Sequence, residues 1–275
     1  MEQARARVRT ALGGVRFDAL VAGTTVLVLA TMLLGVATKA TGAGLACTAR
    51  WPVCDGGFLN LFPQSFPSFF EWLHRVVAGV TGFAILGTVW VAWRDAVAER
   101  SRQLVTLGLV LLPLQVYLGR QTVLEFTAPI LALHFWTAFT ILSSFVAATA
   151  VAWRSALTPT RLRNATALGL LLLPLQVLLH PPVVTRFTPP VHTLQYFVTI
   201  AVFAAVLSAA IVGRRHLHRT RGYALVGLAM AEPALVYVAR HLYGAGSTVV
   251  GIYLAMVAAF AIGLVWATLA FHRVR

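Results

Sequence analysis

Apolar residues along this chain come in eight long runs, separated by short segments richer in arginine, proline and glycine. A helix needs about 20 mostly apolar residues to cross a bilayer. The runs predict helices near 17–38, 68–93, 103–121, 128–153, 164–180, 189–212, 222–240 and 248–271. The expected fold is therefore all-α: a polytopic membrane protein with eight transmembrane helices. The first run is full length and lacks a clear small-residue cleavage site, so it reads as a retained helix and not as a cleaved signal peptide.

The pattern also repeats. Residues 107–134 and 168–195 are identical at fifteen of 28 positions, at an offset of 61. Pro113, Val116, Tyr117 and Arg120 recur as Pro233, Val236, Tyr237 and Arg240, and Phe66 and Leu73 recur as Phe187 and Leu194. The repeating unit is a helical hairpin. Four hairpins give two pseudo-repeated four-helix bundles inside a single membrane domain, residues 1–275: an N-terminal half over 17–153 and a C-terminal half over 164–271. In this register His74 corresponds to His134, Gln195 and Leu254, and His192 falls at the place of Glu71.

Composition fits this picture. Hydrophobic residues make up 59% and charged residues 11%, roughly half the charged share of a soluble domain, and the mean hydropathy is +0.81. The net charge of +14 could suggest a nucleic-acid partner, but its distribution argues otherwise. With both termini cytoplasmic, sixteen of the 22 lysines and arginines fall in inner segments. Lys39, Arg50, Arg75, Arg120, Arg186 and Arg240 fall outside. This is a positive-inside bias. The implied partner is membrane lipid with anionic headgroups, and no nucleic acid is expected. The tract Arg214-Arg215-His216-Leu217-His218-Arg219 reads as part of the same topology signal.

That orientation puts the chain's two cysteines, Cys47 and Cys54, in an outer loop flanked by Gly42, Gly44, Gly56 and Gly57. Disulfides persist on that side of a cell membrane. The pair reads either as a staple that shapes the loop or as a redox-active couple. With no histidine nearby in the loop, it does not make a zinc site.

The densest chemistry follows in Glu71-Trp72-Leu73-His74-Arg75. Glu71 and His74, three residues apart, share one helix face. Ionisable groups at membrane depth are costly and usually mark a site. His74 lies about six residues into the second helix and His134 about as far into the fourth, so both sit about 9–10 Å below the outer boundary at roughly 1.5 Å per residue. Two imidazoles at one depth on neighbouring helices can ligate one iron from opposite faces, although a lone intramembrane histidine also serves simply to bond a carbonyl. Glu71 has two readings: a salt-bridge partner for Arg75 or Arg120, or a proton-transfer group beside the iron. Arg75 and Arg120 are candidates to hold porphyrin carboxylates through guanidinium forks, or else snorkel to lipid. Phe69, Phe70, Trp72, Phe126, Phe135 and Trp136 could wall a flat macrocycle.

At these residues the chain resembles the haem A synthase family. The resemblance rests on Thr41-Gly42-Ala43-Gly44-Leu45-Ala46-Cys47, Trp51-Pro52-Val53-Cys54, Glu71 through Arg75, Gln115 through Gly119, and His134, and it is strong over residues 20–140. It implies a membrane oxidoreductase that converts the C8 methyl of haem O to the formyl group of haem A, supplying terminal oxidases. It implies His74 and His134 as iron ligands of the porphyrin, Glu71 in catalysis, and a Cys47–Cys54 disulfide in the outer loop. It further implies a haem b in the second half, held between histidines of the sixth and eighth helices. The chain departs from that pattern, because its eighth helix has no histidine near the outer end and its sixth offers His192 followed by Gln195. His192 and His241 are the candidates for this atypical second site, with His180 also at an outer helix end. Haem O synthase, quinol or another electron donor are the partners such a reaction implies. Rival readings are a b-type electron-transfer cytochrome, a thiol oxidoreductase built on the cysteines, and a haem carrier without catalysis.

Overall fold

The computed structural model describes residues 16–47, 50–52, 54, 63, 65–95, 97–180, 188–239 and 247–274. Among them the chain forms eight α-helices, a short 3-10 turn at Ala43–Leu45 and no strand. The helices are α1 (Phe17–Ala40), α2 (Phe66–Arg94), α3 (Glu99–Leu124), α4 (Ala128–Ala152), α5 (Pro159–Leu178), α6 (Pro189–Gly213), α7 (Arg219–Ala239) and α8 (Ser247–His272).

Local chemistry explains where they begin. α2, α4, α5 and α6 each start from an extended serine or threonine, with proline at the first or second helical position. Proline is tolerated there because the first-turn N–H groups have no intrahelical partner. At α2 and α5 the Ser65 and Thr158 hydroxyls also accept a backbone N–H, from Ser68 and Arg161, at 3.3 Å each. α3 and α5 begin four and five residues before the apolar pattern predicts, at Glu99 and Pro159. Their first turns carry arginines and other polar residues among the apolar ones, so the apolar pattern does not register them.

Six helices, α1, α2, α3, α4, α6 and α8, are long and apolar enough to cross a membrane, which fits a multi-pass membrane protein. Eight such helices were expected; among the described residues α5 and α7 fall short of that combination of length and hydropathy. These are 20 and 21 residues long and spend their first turns on Arg161 and Arg163, or Arg219 and Arg221.

Packing follows a simple order. α1 packs on α2, α2 on α3, α3 on α4, and α4 back on α1. α5, α6, α7 and α8 close a second ring in the same way. α6 also packs against α1 and α4 and so joins the two rings. The first ring is filled by residues such as Met32, Ile85, Leu142 and Phe145, the second by Leu162, Leu173, Phe260 and Leu264. Hydroxyl pairs cross the first interior: Thr24 with Thr88 and Thr31 with Thr81 at 2.7 Å, and Thr25 with Thr149 at 2.8 Å. Such pairs satisfy polar groups where lipid offers none.

Candidate active site

A cavity of about 430 Å³ opens inside the first ring, toward the end that carries the disulfide loop. Its size is within the usual range for a bound organic molecule. Glu71, His74 and Arg75 from α2, Gln115 and Gly119 from α3, and His134 from α4 all line it. The walls are otherwise mostly apolar, with Val28, Met32 and Val36 from α1, Ile85 from α2 and Leu112 from α3.

The two imidazoles sit in matching seats. A Cβ built on Gly35 of α1 would lie 3.0 Å from His74 Cε1, and one on Gly119 of α3 would lie 3.1 Å from His134 Cε1. Each ring therefore rests edge-on against a glycine of the neighbouring helix. The sequence signal was available: a glycine inside a helix costs about 1 kcal/mol relative to alanine, so a mid-helix glycine without a turn suggests close approach. Gln115 Nε2 lies 3.4 Å from His134 Nε2. Nδ1 of each histidine and Oε1 of Gln115 are buried without a hydrogen-bond partner. Nitrogen donors from two helices, with Trp51, Phe126, Phe135 and Tyr196 in the lining, form a set that fits an iron porphyrin.

Glu71 is buried, and its Oε1 accepts from Arg75 Nε at 2.8 Å. Arg75 Nη1 donates to the carbonyls of Arg50 and Pro52, at 2.9 and 3.2 Å. Arg75 thus ties the acid of α2 to the outer loop. Cys47 and Cys54 are disulfide-bonded, with Cα atoms 4.5 Å apart. Ser68 Oγ donates to the Ala46 carbonyl at 3.1 Å, a second tie between loop and helix. Trp51 and Pro52 of the loop reach the cavity wall.

Several expected residues fall elsewhere. Arg120 is exposed and does not line the cavity. Gln115, Gly119 and Thr122 share the inward face of α3 at helical spacing, and Arg120 is rotated about 100° from Gly119. Of the aromatics, Phe126 and Phe135 line the cavity, while Phe69, Phe70, Trp72 and Trp136 do not. Trp51 and Tyr196 take part instead.

His192, expected as a ligand of a second haem, lines the first cavity together with Tyr196, with ring centroids 5.1 Å apart. The cause is the position of α6, which packs against both rings and turns this part of its surface toward the first. His241, the other candidate for that site, and Arg186 and Arg240 lie outside the described residues. In the second ring His180 is buried, and Gln195 Nε2 lies 3.1–3.2 Å from its ring nitrogens. The Tyr253 ring meets His180 edge-on at 4.7 Å. Gln176 Nε2 donates to Glu232 Oε1 at 3.4 Å, and both residues are buried. This polar cluster was not anticipated, apart from His180 and Gln195 as positions.

No family model matches the chain. Among curated proteins it is 34% identical over 116 residues to a heme A synthase of Bacillus pumilus, covering 41% of this chain and 37% of that protein. It is 31% identical over 132 residues to a heme A synthase of Alkalihalophilus pseudofirmus, covering 47% and 44%. It is also 37% identical over 139 residues to a protoheme IX farnesyltransferase of Halobacterium salinarum, covering 50% and 29%. The chain spans less than half the length of each of these relatives. Over that part of its length the chain is similar to heme A synthases at 31–34% identity.

Proposed function

We propose that this chain is a haem A synthase, a membrane oxidoreductase that takes haem O as substrate and oxidises its C8 methyl to the formyl group of haem A. The observation that carries the proposal is the pair His74 and His134. They stand on α2 and α4, line one cavity, and rest against Gly35 and Gly119 in equivalent ways. In this reading the two imidazoles grip the substrate iron from opposite faces and fix the macrocycle between α2 and α4. Two successive oxidations of one carbon need a proton acceptor near it. Glu71, one turn from His74 on the same wall, is that group. Arg75 fixes its carboxylate and offsets its charge in a site where an unpaired ion is expensive. The disulfide shapes the loop that carries Trp51 and Pro52 over the opening. In this reading both termini are cytoplasmic and the loop is on the outer face of the cell membrane, an orientation the arginine distribution favours.

The farnesyltransferase names among the relatives raise a second haem chemistry, prenyl transfer. Displacing a diphosphate calls for carboxylates that hold metal ions against the leaving group. Among the described residues the cavity has one acid, Glu71, and it is bonded to an arginine. This donor set favours iron ligation and proton transfer over prenyl transfer.

The test is turnover. Purified protein in lipid, supplied with haem O and, in separate reactions, with dioxygen plus a reductant or with an electron acceptor and water as the oxygen source, should yield a porphyrin heavier by one oxygen and lighter by two hydrogens, read by mass spectrometry. Glu71→Gln keeps the acceptor for Arg75 and removes the base, so it should retain haem O and stall the reaction. Haem A output at the wild-type rate from that variant removes Glu71 from the mechanism. A protein that holds only haem b and converts nothing is a cytochrome or carrier.

A further inference from the structure

At the opposite end of the molecule, a second cavity of about 610 Å³ lies between the two rings. Arg100 of α3, Arg154 after α4, Arg214 and Arg215 after α6, and Arg219 of α7 line it, and among the described residues no acid does. Among the described residues none of the five is in an ion pair; the nearby acid Glu99 bonds Gln103 at 3.0 Å. A topology signal needs arginines in these turns and nothing more. It does not require arginines from two helix rings to line one hollow, where their mutual repulsion destabilises the fold.

The hollow is also shaped for them. A Cβ on Gly222 would lie 3.1 Å from Cγ and 3.4 Å from Cβ of Arg214, so the glycine lets that stem lie against α7. Arg219 Nε donates to the Tyr223 hydroxyl at 3.2 Å, and its guanidinium lies 5.5 Å from the Tyr223 ring centroid. Val151, Ile211, Val212 and Leu217 complete the wall, so charged and apolar surfaces meet in one place.

We propose that this cavity binds a phosphate-bearing anion. Guanidinium groups fork onto phosphate oxygens in pairs, and five of them suit a ligand with more than one phosphate. Two sources share that chemistry: the headgroup of an anionic lipid, and a soluble diphosphate. The apolar wall and the position between helices at the membrane edge favour the lipid, because basic pockets of this kind bind lipid phosphates. The bound anion offsets the repulsion and links α3 and α4 of one ring to α6 and α7 of the other.

Native mass spectrometry of delipidated, detergent-solubilised full chain tests this, with diphosphatidylglycerol, phosphatidylcholine and inorganic pyrophosphate as probes in separate titrations. The expected result is one diphosphatidylglycerol per chain, with no comparable retention of phosphatidylcholine. The triple variant R154K/R214K/R215K keeps every positive charge, and so the topology signal, but loses the forks. It should bind at least about tenfold more weakly, equivalent to one lost charge-assisted hydrogen bond. R154K alone, at an exposed position, guards against misfolding of the triple variant and should show a smaller loss. R161K/R163K, at the same end but outside the cavity, should bind as wild type. Binding of pyrophosphate in place of lipid, with the same dependence on the arginines, supports the site and assigns the soluble source. Binding of neither probe, or equal weakening by R161K/R163K, overturns the proposal.

Discussion

The two helix rings use related sequences to opposite ends. In the α1–α4 ring, α3 offers Gly119 and α4 offers His134, and a cavity lies beside them. At the equivalent positions of the α5–α8 ring, His180 replaces the glycine and Gln195 replaces the histidine. There the imidazole comes from the other helix of the hairpin, and Gln195 bonds it within the protein. Gln115 likewise reaches toward His134, whereas its counterpart Gln176 bonds Glu232. The comparison teaches that two exchanges, Gly119 for His180 and His134 for Gln195, replace a histidine that faces a cavity with one bonded by a neighbouring glutamine. On the proposed function, haem belongs to the first ring.

The harshest way to break this comparison is to remove an imidazole from each ring in turn. His74→Ala or His134→Ala should abolish haem retention through purification, read from the Soret band and the haem-to-protein ratio. His180→Ala should leave that ratio at one per chain, because its ring serves the protein's own packing. A second haem in wild-type protein that disappears with His180→Ala would reverse the assignment of the two rings.

A finer probe acts on the seats and leaves the ligands in place. Gly119→Ala sets a Cβ 3.1 Å from His134 Cε1, and Gly35→Ala sets one 3.0 Å from His74 Cε1. Each ring must shift by a few tenths of an ångström, so haem binding should weaken by about tenfold, or roughly 1.4 kcal/mol, with a shifted Soret maximum. Unchanged spectra in both variants would show that the glycines are incidental to ligation.

The sequence showed much of this frame and little of its assignment between rings. All eight helices were legible because apolar runs record burial in lipid and core directly. Glu71, His74 and His134 were legible because ionisable groups are rare in such runs. His192 was not, because α6 serves both rings, and periodicity along one helix cannot say which neighbour a given face meets. The seat that Gly35 and Gly119 provide is not legible in sequence, because a glycine's role depends on the ring that approaches it, and that ring lies on another helix. Glu232 and Tyr253 each stand alone in their runs, and only the packing of α5, α7 and α8 brings them near Gln176 and His180.

Stability gives a third contrast. Gln195→Ala deletes the partner of a buried imidazole, and an unsatisfied buried group costs about 1–3 kcal/mol. The expected outcome is a lower melting temperature in detergent with haem content unchanged. A fall in haem content ahead of any loss of stability would tie the second ring to ligand binding.

The smallest effect is the most discriminating about what fills the second ring. The Tyr253 hydroxyl, Glu232 Oε2 and Gln176 Oε1 are buried without hydrogen-bond partners. A hydroxyl in that condition costs free energy and returns none, and an apolar replacement of the same shape is then neutral or favourable. Tyr253→Phe keeps the ring edge against His180, so the melting temperature should hold or rise, by the equivalent of about 1 kcal/mol at most. Loss of stability in Tyr253→Phe would mean the hydroxyl has a partner after all, an ordered water or a small polar ligand shared with Glu232. The second ring would then be a binding site in its own right, and its difference from the first would lie in what it binds.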